Sequence, residues 1–314
     1  MKKNIFTDIP KTYSKMSDFG KVLVFIVLLL MLISFFNAIK KATYKEGFTQ
    51  QDEYIYIDDI SLFDGFYSQI YDSLVFNQVK NDFEVGQILE LTDANDEIVL
   101  LDVGCGTGHH VNSFSNNKRV KEVVGIDNSQ AMINMNKEKY PNGTWVKGDV
   151  LDLNNFKNQS FTHITCLYFT IYYFKDKRKF FENCMEWLMP GGYLIVHMVD
   201  KDKFDPILPP GNPLYVVSPQ KYAKERITTT QVTFNDFQYS SNFNMESDES
   251  GVAEFDEKFK FKNGKTRHQK HKLYMEDEDI ISATAQECGF TIHAIIDMIK
   301  CAYEQQYLYV FVKP

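Results

Sequence analysis

The chain has 314 residues, of which 44% are hydrophobic and 15% aromatic, so it has ample material for a folded core and is not a disordered chain. Its length allows one large α/β domain with additions or two modest domains. The formal net charge of −8 disfavours nucleic acid as the main partner, because an acidic protein is not attracted to phosphate backbones.

An uncharged apolar run occupies residues 22–39, after a polar leader at residues 1–21. As a helix, the run would extend about 27 Å at ~1.5 Å per residue, which approaches the ~30 Å of a bilayer core once flanking lysines reach the interface. Lys21 precedes the run, and Lys40 and Lys41 follow it. A cleaved signal peptide would have a shorter apolar region and a small-residue cleavage site. We therefore expect a single transmembrane helix.

The five cysteines lie at irregular spacing, and none forms a C-x-x-C pair. This pattern is typical of reduced thiols that pack as small hydrophobic side chains, so we predict neither a disulfide framework nor a metal site. Reduced cysteines favour a cytoplasmic folded part. The lysine count, with five in the leader and three beyond the apolar run, instead favours a cytoplasmic N-terminus. We give more weight to the thiol chemistry and expect a single-pass protein whose folded part is cytoplasmic.

Residues 40–62 are polar and acidic, which indicates a linker before a folded domain at residues 63–314. Between residues 63 and 91 the apolar positions recur at spacings of three and four, which predicts two helices. These helices either pack on the edge of a sheet or cover a ligand site, to which Tyr67 or Tyr71 would offer a hydroxyl group.

A short apolar strand at residues 98–103 leads into three glycines, Gly104, Gly106 and Gly108. A hydrophobic run of this length bounded by glycines is typical of a parallel strand that is covered on both faces. Glycine at every second position lets backbone N–H groups approach a ligand closely, because no Cβ intervenes. The stretch therefore predicts a ligand-binding turn between a strand and a helix.

Strands and helices alternate from residue 98 onward, which predicts a Rossmann-like α/β fold with a doubly wound, mostly parallel sheet of seven strands. The strands are expected at residues 98–103, 122–127, 144–149, 163–168, 193–199, 290–297 and 306–312, and further helices at residues 129–140, 177–188 and 275–288. Residues 203–273 instead alternate polar with apolar side chains, as at 232–237 and 255–261, and contain a hairpin signal at Asn263-Gly264. We expect this segment to be an antiparallel insertion.

Acidic residues end three consecutive predicted strands, at Asp102, Asp127 and Asp149. At the C-terminal edge of a parallel sheet they face one crevice, and an acid about twenty residues after a glycine turn accepts hydrogen bonds from a ribose diol. A dinucleotide also requires a third glycine beside its pyrophosphate, but His109 and His110 stand there. Several acids, with no Lys or Arg in the turn, predict an adenosine ligand with a cationic, phosphate-free tail.

The motif series at residues 101–108, 124–127, 148–150 and 188–192 resembles that of class I S-adenosylmethionine-dependent methyltransferases, and the resemblance covers about residues 63–314. It implies S-adenosylmethionine as the cofactor. The cofactor-binding residues that it implies are Asp102, Gly104, Cys105, Gly106, Asp127, Asn128, Asp149, Val150, Leu167 and Tyr168.

The resemblance also implies a role for most of these residues. Gly104 and Gly106 would contact the methionine part, and Asp102 would hold its amino group. Asp127 would bind both ribose hydroxyls. Asp149 and Val150 would recognise the adenine, and Leu167 and Tyr168 would lie beside the sulfonium.

Methyl transfer from a sulfonium is an in-line displacement, and most of its acceleration can come from holding the acceptor in near-attack geometry. Some acceptors also require a general base. The candidate bases are His163, His197, Tyr168, Tyr172 and Tyr173. A histidine on a buried strand is more often structural, so His197 is either a general base or a structural residue. Tyr172 or Tyr173 would line the substrate site.

The insertion resembles that of small-molecule N-methyltransferases acting on sugar amines or short amino compounds. We therefore expect methyl transfer to a small-molecule or lipid-soluble acceptor at a membrane. The basic run at residues 258–272 is either a solvated strand face or a contact with anionic lipid. Two alternatives stay open: an NAD(P)-linked oxidoreductase, which the glycine spacing disfavours, and a non-catalytic membrane-anchored adaptor that retains the fold.

Overall fold

The computed structural model describes residues 17–43, 54–92, 97–207, 219–245 and 251–314. The chain divides into two compact units, Met1–Thr49 and Gln50–Pro314. The predicted leader at residues 1–21 lies outside the described residues up to position 16.

The first unit contains helix α1, Asp18–Thr43, which includes the apolar run at residues 22–39. Side chains of this helix are described as far as Leu32 and again at Ser34. Within the described part of the chain, no helix has the length and apolar character that a membrane crossing needs. The structure therefore lends no support to the predicted transmembrane helix.

The second unit contains a seven-stranded sheet and a five-stranded sheet. The helices are α2 (Gly65–Val75), α3 (Gln78–Leu91), α4 (His109–Ser115), α5 (Gln130–Lys139), α6 (Lys177–Trp187) and α7 (Glu278–Glu287). The strands are β1 (Tyr54–Ile57), β2 (Ile98–Val103), β3 (Val120–Asp127), β4 (Thr144–Lys147), β5 (Phe161–Cys166), β6 (Leu188–Val199), β7 (Thr229–Thr233), β8 (Phe237–Met245), β9 (Val252–Phe261), β10 (Thr266–Tyr274), β11 (Thr291–Asp297) and β12 (Gln306–Val312). Short 3₁₀ helices lie at Ile60–Leu62, Leu153–Asn155, Thr170–Tyr173, Pro219–Tyr222 and Met298–Cys301.

The larger sheet has the strand order β11-β12-β6-β5-β2-β3-β4. Strands β6, β5, β2, β3 and β4 run parallel, whereas β12 pairs antiparallel with both β6 and β11. The prediction of a seven-stranded, mostly parallel Rossmann-like sheet is confirmed. The chain reverses its direction of winding between β2 and β5, and such a switch point opens a crevice at the carboxyl ends of the strands.

Alternate side chains of β2 enter two separate cores, as the period of a strand requires. Leu100 packs with α3 and α4, where Ile88 and Phe114 are fully buried. Leu101 packs on the opposite face with Trp187 of α6 and residues of α7. Both faces of the sheet are therefore covered, which explains why the strand is apolar along its whole length.

The antiparallel insertion is present, and its sheet has the order β1-β10-β9-β8-β7. Two boundaries differ from the prediction. Residues 54–57, expected to lie in a linker, form the edge strand β1, because their backbone pairs in parallel with β10 while their side chains alternate between exposed and half-buried. Residues 232–237 are not one strand, since a turn at positions 234–236 separates β7 from β8. The predicted hairpin lies between β9 and β10, with Gly264 at φ +85°.

Aromatic rings hold the insertion against α2. Phe66 lies 5.2 Å from Phe259, measured between ring centroids, and Tyr67 lies 6.4 Å from the same ring. Arg267 of β10 reaches the start of α2, where its Nη1 is 2.7 Å from Asp64 Oδ2 and its guanidinium lies over the Phe66 ring. The inner face of the insertion is thereby fixed above the carboxyl ends of the parallel strands.

Candidate cofactor and acceptor site

A cavity of about 360 Å³ lies at the carboxyl ends of the parallel strands. Segments that follow β2, β3, β4 and β5 form its floor, and helix α2 with the insertion strands forms its roof. The residues that position its chemistry are Tyr67, Tyr71, Gly104, Gly106, Asp127, Asn128, Asp149, Val150, Tyr168, Thr170, Tyr173, Glu257 and His271. Both predicted helices at residues 63–91 form, and Tyr67 and Tyr71 line this cavity.

The glycine turn closes tightly after β2. Gly104, Gly106 and Gly108 all have positive φ, at +64°, +50° and +79°. A Cβ built on Gly104 would lie 2.5 Å from Thr170 Cγ2 in the turn that follows β5. The missing side chain therefore leaves room for the Thr170 side chain to pack against the backbone of the glycine turn beneath the cavity.

Asp127 at the end of β3 ties this turn to the next helix. Its Oδ2 accepts a hydrogen bond from the Gly106 N–H at 2.9 Å, and its Oδ1 accepts one from the Ser129 N–H at 2.8 Å. Burial nevertheless raises the pKa of Asp127 to about 6. Because each carboxylate oxygen can accept a second hydrogen bond, Asp127 can still receive two hydroxyl groups of a ribose from the cavity.

The segment after β4 provides the next part of the floor. Asp149 Oδ1 accepts a hydrogen bond from the Leu151 N–H at 3.0 Å, and buried Val150 lies beside it on the cavity wall. Exposed Asn128 also lines the cavity, and its Oδ1 accepts a hydrogen bond from Lys147 Nζ at 3.0 Å. An acid beside an apolar surface suits the amino group and the face of an adenine ring.

A second, smaller cavity of about 80 Å³ adjoins the first and shares Gly104, Gly106 and Tyr168 with it. Asp102 lines this smaller cavity, and its Oδ1 accepts a hydrogen bond from Thr165 Oγ1 at 2.7 Å. Burial raises the pKa of Asp102. Predicted residues Cys105 and Leu167 are both buried and line the smaller cavity, not the larger one.

Three polar side chains from outside the predicted motifs, Lys80, Glu84 and His110, meet in the smaller cavity. Lys80 Nζ lies 2.7 Å from Glu84 Oε1, and His110 Nε2 lies 2.8 Å from Glu84 Oε2. Burial alone would raise the pKa of Glu84, but Lys80 and His110 outweigh it and hold the pKa at about 2. The lining of this cavity thus includes one buried cation, Lys80, and two acids, Glu84 and Asp102, which suit the carboxylate and the ammonium of a free amino acid. The cavity therefore fits the methionine end of S-adenosylmethionine.

Lys80 and Glu84 were not among the predicted site residues, although their spacing in the sequence indicates an ion pair. They stand one helical turn apart on α3 with the charge pairing of an ordinary surface ion pair. Only the position of the helix over the glycine turn buries them, to 5% and 0% exposure.

The candidate general bases differ in whether they line the larger cavity. His197 is fully buried and does not line the larger cavity; its Nδ1 contacts the Tyr168 carbonyl oxygen, and its Nε2 lies 3.0 Å from Gln306 Oε1. Burial lowers the pKa of His197 to about 4. His197 therefore holds the backbone of Tyr168, whose φ is +54°, and is not placed to accept a proton from a substrate.

Tyr172 and His163 are likewise turned away from the larger cavity. The Tyr172 hydroxyl accepts a hydrogen bond from the Val199 N–H at 2.8 Å, inside the core. His163 is buried on β5, where burial lowers its pKa to about 4. Tyr173, by contrast, lines the cavity and places its hydroxyl 2.6 Å from His271 Nδ1.

Comparisons with known proteins agree with this geometry. Residues 101–196 match the family model described as a methyltransferase domain. A dTDP-4-amino-2,3,4,6-tetradeoxy-D-glucose N,N-dimethyltransferase of Saccharopolyspora spinosa is 32% identical over 118 residues, which are 36% of this chain and 46% of that protein. A dTDP-3-amino-3,4,6-trideoxy-alpha-D-glucopyranose N,N-dimethyltransferase of Streptomyces venezuelae is 28% identical over 100 residues, 31% of this chain and 40% of that protein. The chain thus spans less than half the length of these two relatives.

Solved structures share the fold. One is an S-adenosylmethionine-dependent methyltransferase from Clostridium acetobutylicum, with a TM-score of 0.58 and 19% identity over 78% of this chain and 97% of that chain. Another is an amino pentose methyltransferase from Micromonospora echinaspora with bound S-adenosylmethionine, with a TM-score of 0.54 and 19% identity over 74% of this chain and 92% of that chain. Residues 101–196 therefore resemble a methyltransferase domain, and the solved structures support the same fold for the second unit.

The substitution Gly104→Ala is expected to abolish measurable binding of S-adenosylmethionine in a calorimetric titration, because its Cβ would collide with Thr170. Gly264→Ala is the matched control, since Gly264 also has positive φ but lies in the β9–β10 hairpin, where an added Cβ would meet nothing within 4 Å. Both variants carry the backbone strain of about 1 kcal/mol or more that a left-handed alanine costs. Equal cofactor affinity in the two variants would contradict the close approach.

Affinity for S-adenosylmethionine is expected to fall as the pH drops below about 6, because the pKa of Asp127 is raised to about 6 and only the carboxylate accepts both ribose hydroxyls. Each further pH unit would weaken binding up to about tenfold, the ratio that one protonation equilibrium allows. Titrations between pH 5 and 8 measure this. In Asp127→Asn, binding should be weaker throughout and this part of the pH dependence should vanish; parallel profiles for the two proteins would assign the titration to another group.

Proposed function

We propose that this protein is an S-adenosylmethionine-dependent methyltransferase that transfers a methyl group to the nitrogen of a small-molecule amine. The observation that carries the proposal is Asp127, which is bound to the glycine turn and to the start of α5 while facing both the turn and the cavity. The fit of the smaller cavity to an amino-acid tail supports the same cofactor.

Different residues of the chain bind different parts of the cofactor. Asp127 receives the ribose hydroxyls, and Asp149 with Val150 receives the adenine. Lys80 faces the carboxylate of the amino-acid tail, while Asp102 faces its ammonium group. The bound cofactor supplies an electrophilic methyl group, and these contacts direct that group toward the roof of the larger cavity, where the acceptor is held for an in-line displacement.

The acceptor cavity has mostly aromatic and apolar walls, including Phe63, Tyr71, Phe255 and Leu273, with the carboxyl of Glu257 in its roof. Aromatic faces and a buried carboxylate attract an ammonium group. The N,N-dimethyltransferase names of the two relatives support an amine acceptor. A lipid-soluble acceptor is the second candidate, favoured by the apolar walls of the cavity.

An oxidoreductase that uses NAD(P) is less consistent with the site. The described residues that line the larger cavity include no Lys or Arg to face a pyrophosphate. The glycine turn also has a histidine pair in place of a third glycine. A non-catalytic adaptor would not require an acceptor cavity beside the cofactor.

The proposal predicts that S-adenosylmethionine binds to the purified full chain in a calorimetric titration and that NADH does not. It also predicts transfer of a labelled methyl group to at least one member of a panel of primary and secondary amines. Absence of cofactor binding at millimolar concentration would reject the proposed activity. Binding without transfer to amines, alcohols or lipids would favour an adaptor.

We further propose that α1 attaches the protein to a membrane, with the folded part on the cytoplasmic side. The uncharged run at residues 22–39 and its flanking lysines support this, as do the exposed apolar side chains of Phe25, Leu28 and Met31. All five cysteines are free thiols, which suits a reducing compartment.

Membrane attachment predicts that the full chain resists extraction from cell membranes by alkaline carbonate. The double substitution Leu28→Asp and Leu32→Asp should release it, because a charged residue in the centre of a membrane helix costs about 2.5–3.5 kcal/mol. If the unsubstituted chain is extracted as readily as the double variant, α1 is not an anchor.

A further inference from the structure

A carboxylate is buried in the roof of the acceptor cavity, on the inner face of the insertion. Glu257 of β9 is 1% exposed, and three side chains donate to it. Its Oε1 accepts a hydrogen bond from the Tyr239 hydroxyl at 2.7 Å, and its Oε2 accepts hydrogen bonds from Gln269 Nε2 and from the His271 ring, each at 2.7 Å. Burial alone would raise the pKa of Glu257, but His271 and these hydrogen bonds outweigh it and lower the pKa, so Glu257 is ionised.

The hydrogen bonds set the tautomer of His271. Because an ionised carboxylate only accepts, the imidazole must donate to Glu257 from Nε2. In the neutral ring, Nδ1 is then an acceptor, and the Tyr173 hydroxyl donates to it at 2.6 Å. The lone pairs on the Tyr173 oxygen remain available to a donor in the cavity.

The groups around His271 come from several elements. Glu257 lies on β9, Tyr173 lies in the turn after β5, and Tyr67 of α2 contacts the imidazole with ring centroids 5.7 Å apart. Tyr239 of β8 reaches Glu257, and Tyr71 of α2 lies on the same cavity wall. Glu257 is the only carboxylate among the described side chains that contact this ring, so it is the partner that stabilises an imidazolium.

We propose that Tyr173, His271 and Glu257 form a proton relay that deprotonates the ammonium group of the acceptor before methyl transfer. The inference rests on the proposed function and adds the residues that prepare its substrate. It also explains why two ionisable groups occupy the roof of a largely aromatic cavity, where their burial is costly unless they pair.

The step balances in atoms and charge. The acceptor R–NH₃⁺ gives a proton to the Tyr173 oxygen while the Tyr173 hydroxyl proton passes to Nδ1 of His271, leaving R–NH₂ and an imidazolium paired with Glu257. The freed nitrogen lone pair forms the new C–N bond as the methyl–sulfur bond breaks, and the sulfur keeps the bonding electrons. The imidazolium later releases its proton to solvent. One proton is released for each methyl group transferred.

The outer face of the same two strands provides a matched control. His268 Nε2 lies 2.8 Å from Asp256 Oδ1, so β10 and β9 carry a second histidine–carboxylate pair that faces away from the cavity. Replacing His268 removes the same kind of histidine–carboxylate hydrogen bond from the same pair of strands. A purely structural role for His271 would make the two replacements similar.

The test compares the full chain with Tyr173→Phe, His271→Gln and the control His268→Gln. The acceptors are a panel of amines that includes dTDP-4-amino-2,3,4,6-tetradeoxy-D-glucose, and methyl transfer is followed from pH 6 to 10. Relay variants are expected to lose about 10²–10⁴-fold in kcat near neutral pH, the range for general base catalysis. This loss in kcat should become smaller as the pH rises, because the acceptor is then already deprotonated when it binds. The control His268→Gln should have the same kcat as the unsubstituted chain at each pH.

Calorimetric titration measures cofactor binding independently of methyl transfer. The relay variants should bind S-adenosylmethionine with the same affinity as the unsubstituted chain, so failure of the relay can be distinguished from failure of the proposed function. A deficit in kcat that is equal at every pH would overturn the relay and leave a structural role. Equal losses in His268→Gln and His271→Gln would also overturn it. Cofactor binding with no transfer to any amine would overturn the relay and the amine acceptor together.

Discussion

The site depends on one carboxylate bound by two backbone N–H groups. Asp127 receives the amides of Gly106 and Ser129, so the end of β3, the glycine turn after β2 and the start of α5 form one rigid unit. The turn can adopt this shape because Gly104 and Gly106 tolerate positive φ. Burial opposes ionisation of Asp127, and the two hydrogen bonds partly compensate. A ribose diol would complete this arrangement, since each carboxylate oxygen has one more lone pair to offer.

Charge distribution distinguishes the two cavities that meet at the glycine turn. In the smaller cavity, Lys80 and Glu84 are buried together with Asp102, a combination that would be costly without a charged ligand or full mutual pairing. In the larger cavity, aromatic walls surround Glu257 and His271. The first environment suits a zwitterion, and the roof of the second suits an amine that must lose a proton, above the floor that suits the adenosine. The two functions are adjacent because both cavities share the segment that contains Tyr168.

Much of the fold could be predicted because its signals are local. Strand β2 has the predicted bounds, and α5 begins one residue after the predicted start at 129, where the Ser129 hydroxyl caps it by accepting a hydrogen bond from the Met132 N–H. The surroundings of the candidate catalytic residues could not be predicted in this way. Tyr172 and Tyr173 are neighbours in sequence, but the 3₁₀ turn directs one hydroxyl into the core and the other to the cavity. His271 lies 98 residues from Tyr173, and no local pattern reports that contact.

By itself, the sequence determined the alternation of strands and helices, the glycine turn and the acids at the strand ends, and these predict an adenosine ligand with a cationic, phosphate-free tail. These features follow from backbone conformation and from a hydrophobic period, which a short segment contains in full. Only the tertiary structure decided that Lys80 and Glu84 are buried and that His197 is structural, and only it brought Glu257 and His271 over the acceptor cavity. Burial and long-range hydrogen bonds depend on which elements pack together, and the packing of the insertion on α2 and on the carboxyl ends of the parallel strands is a property of the whole fold.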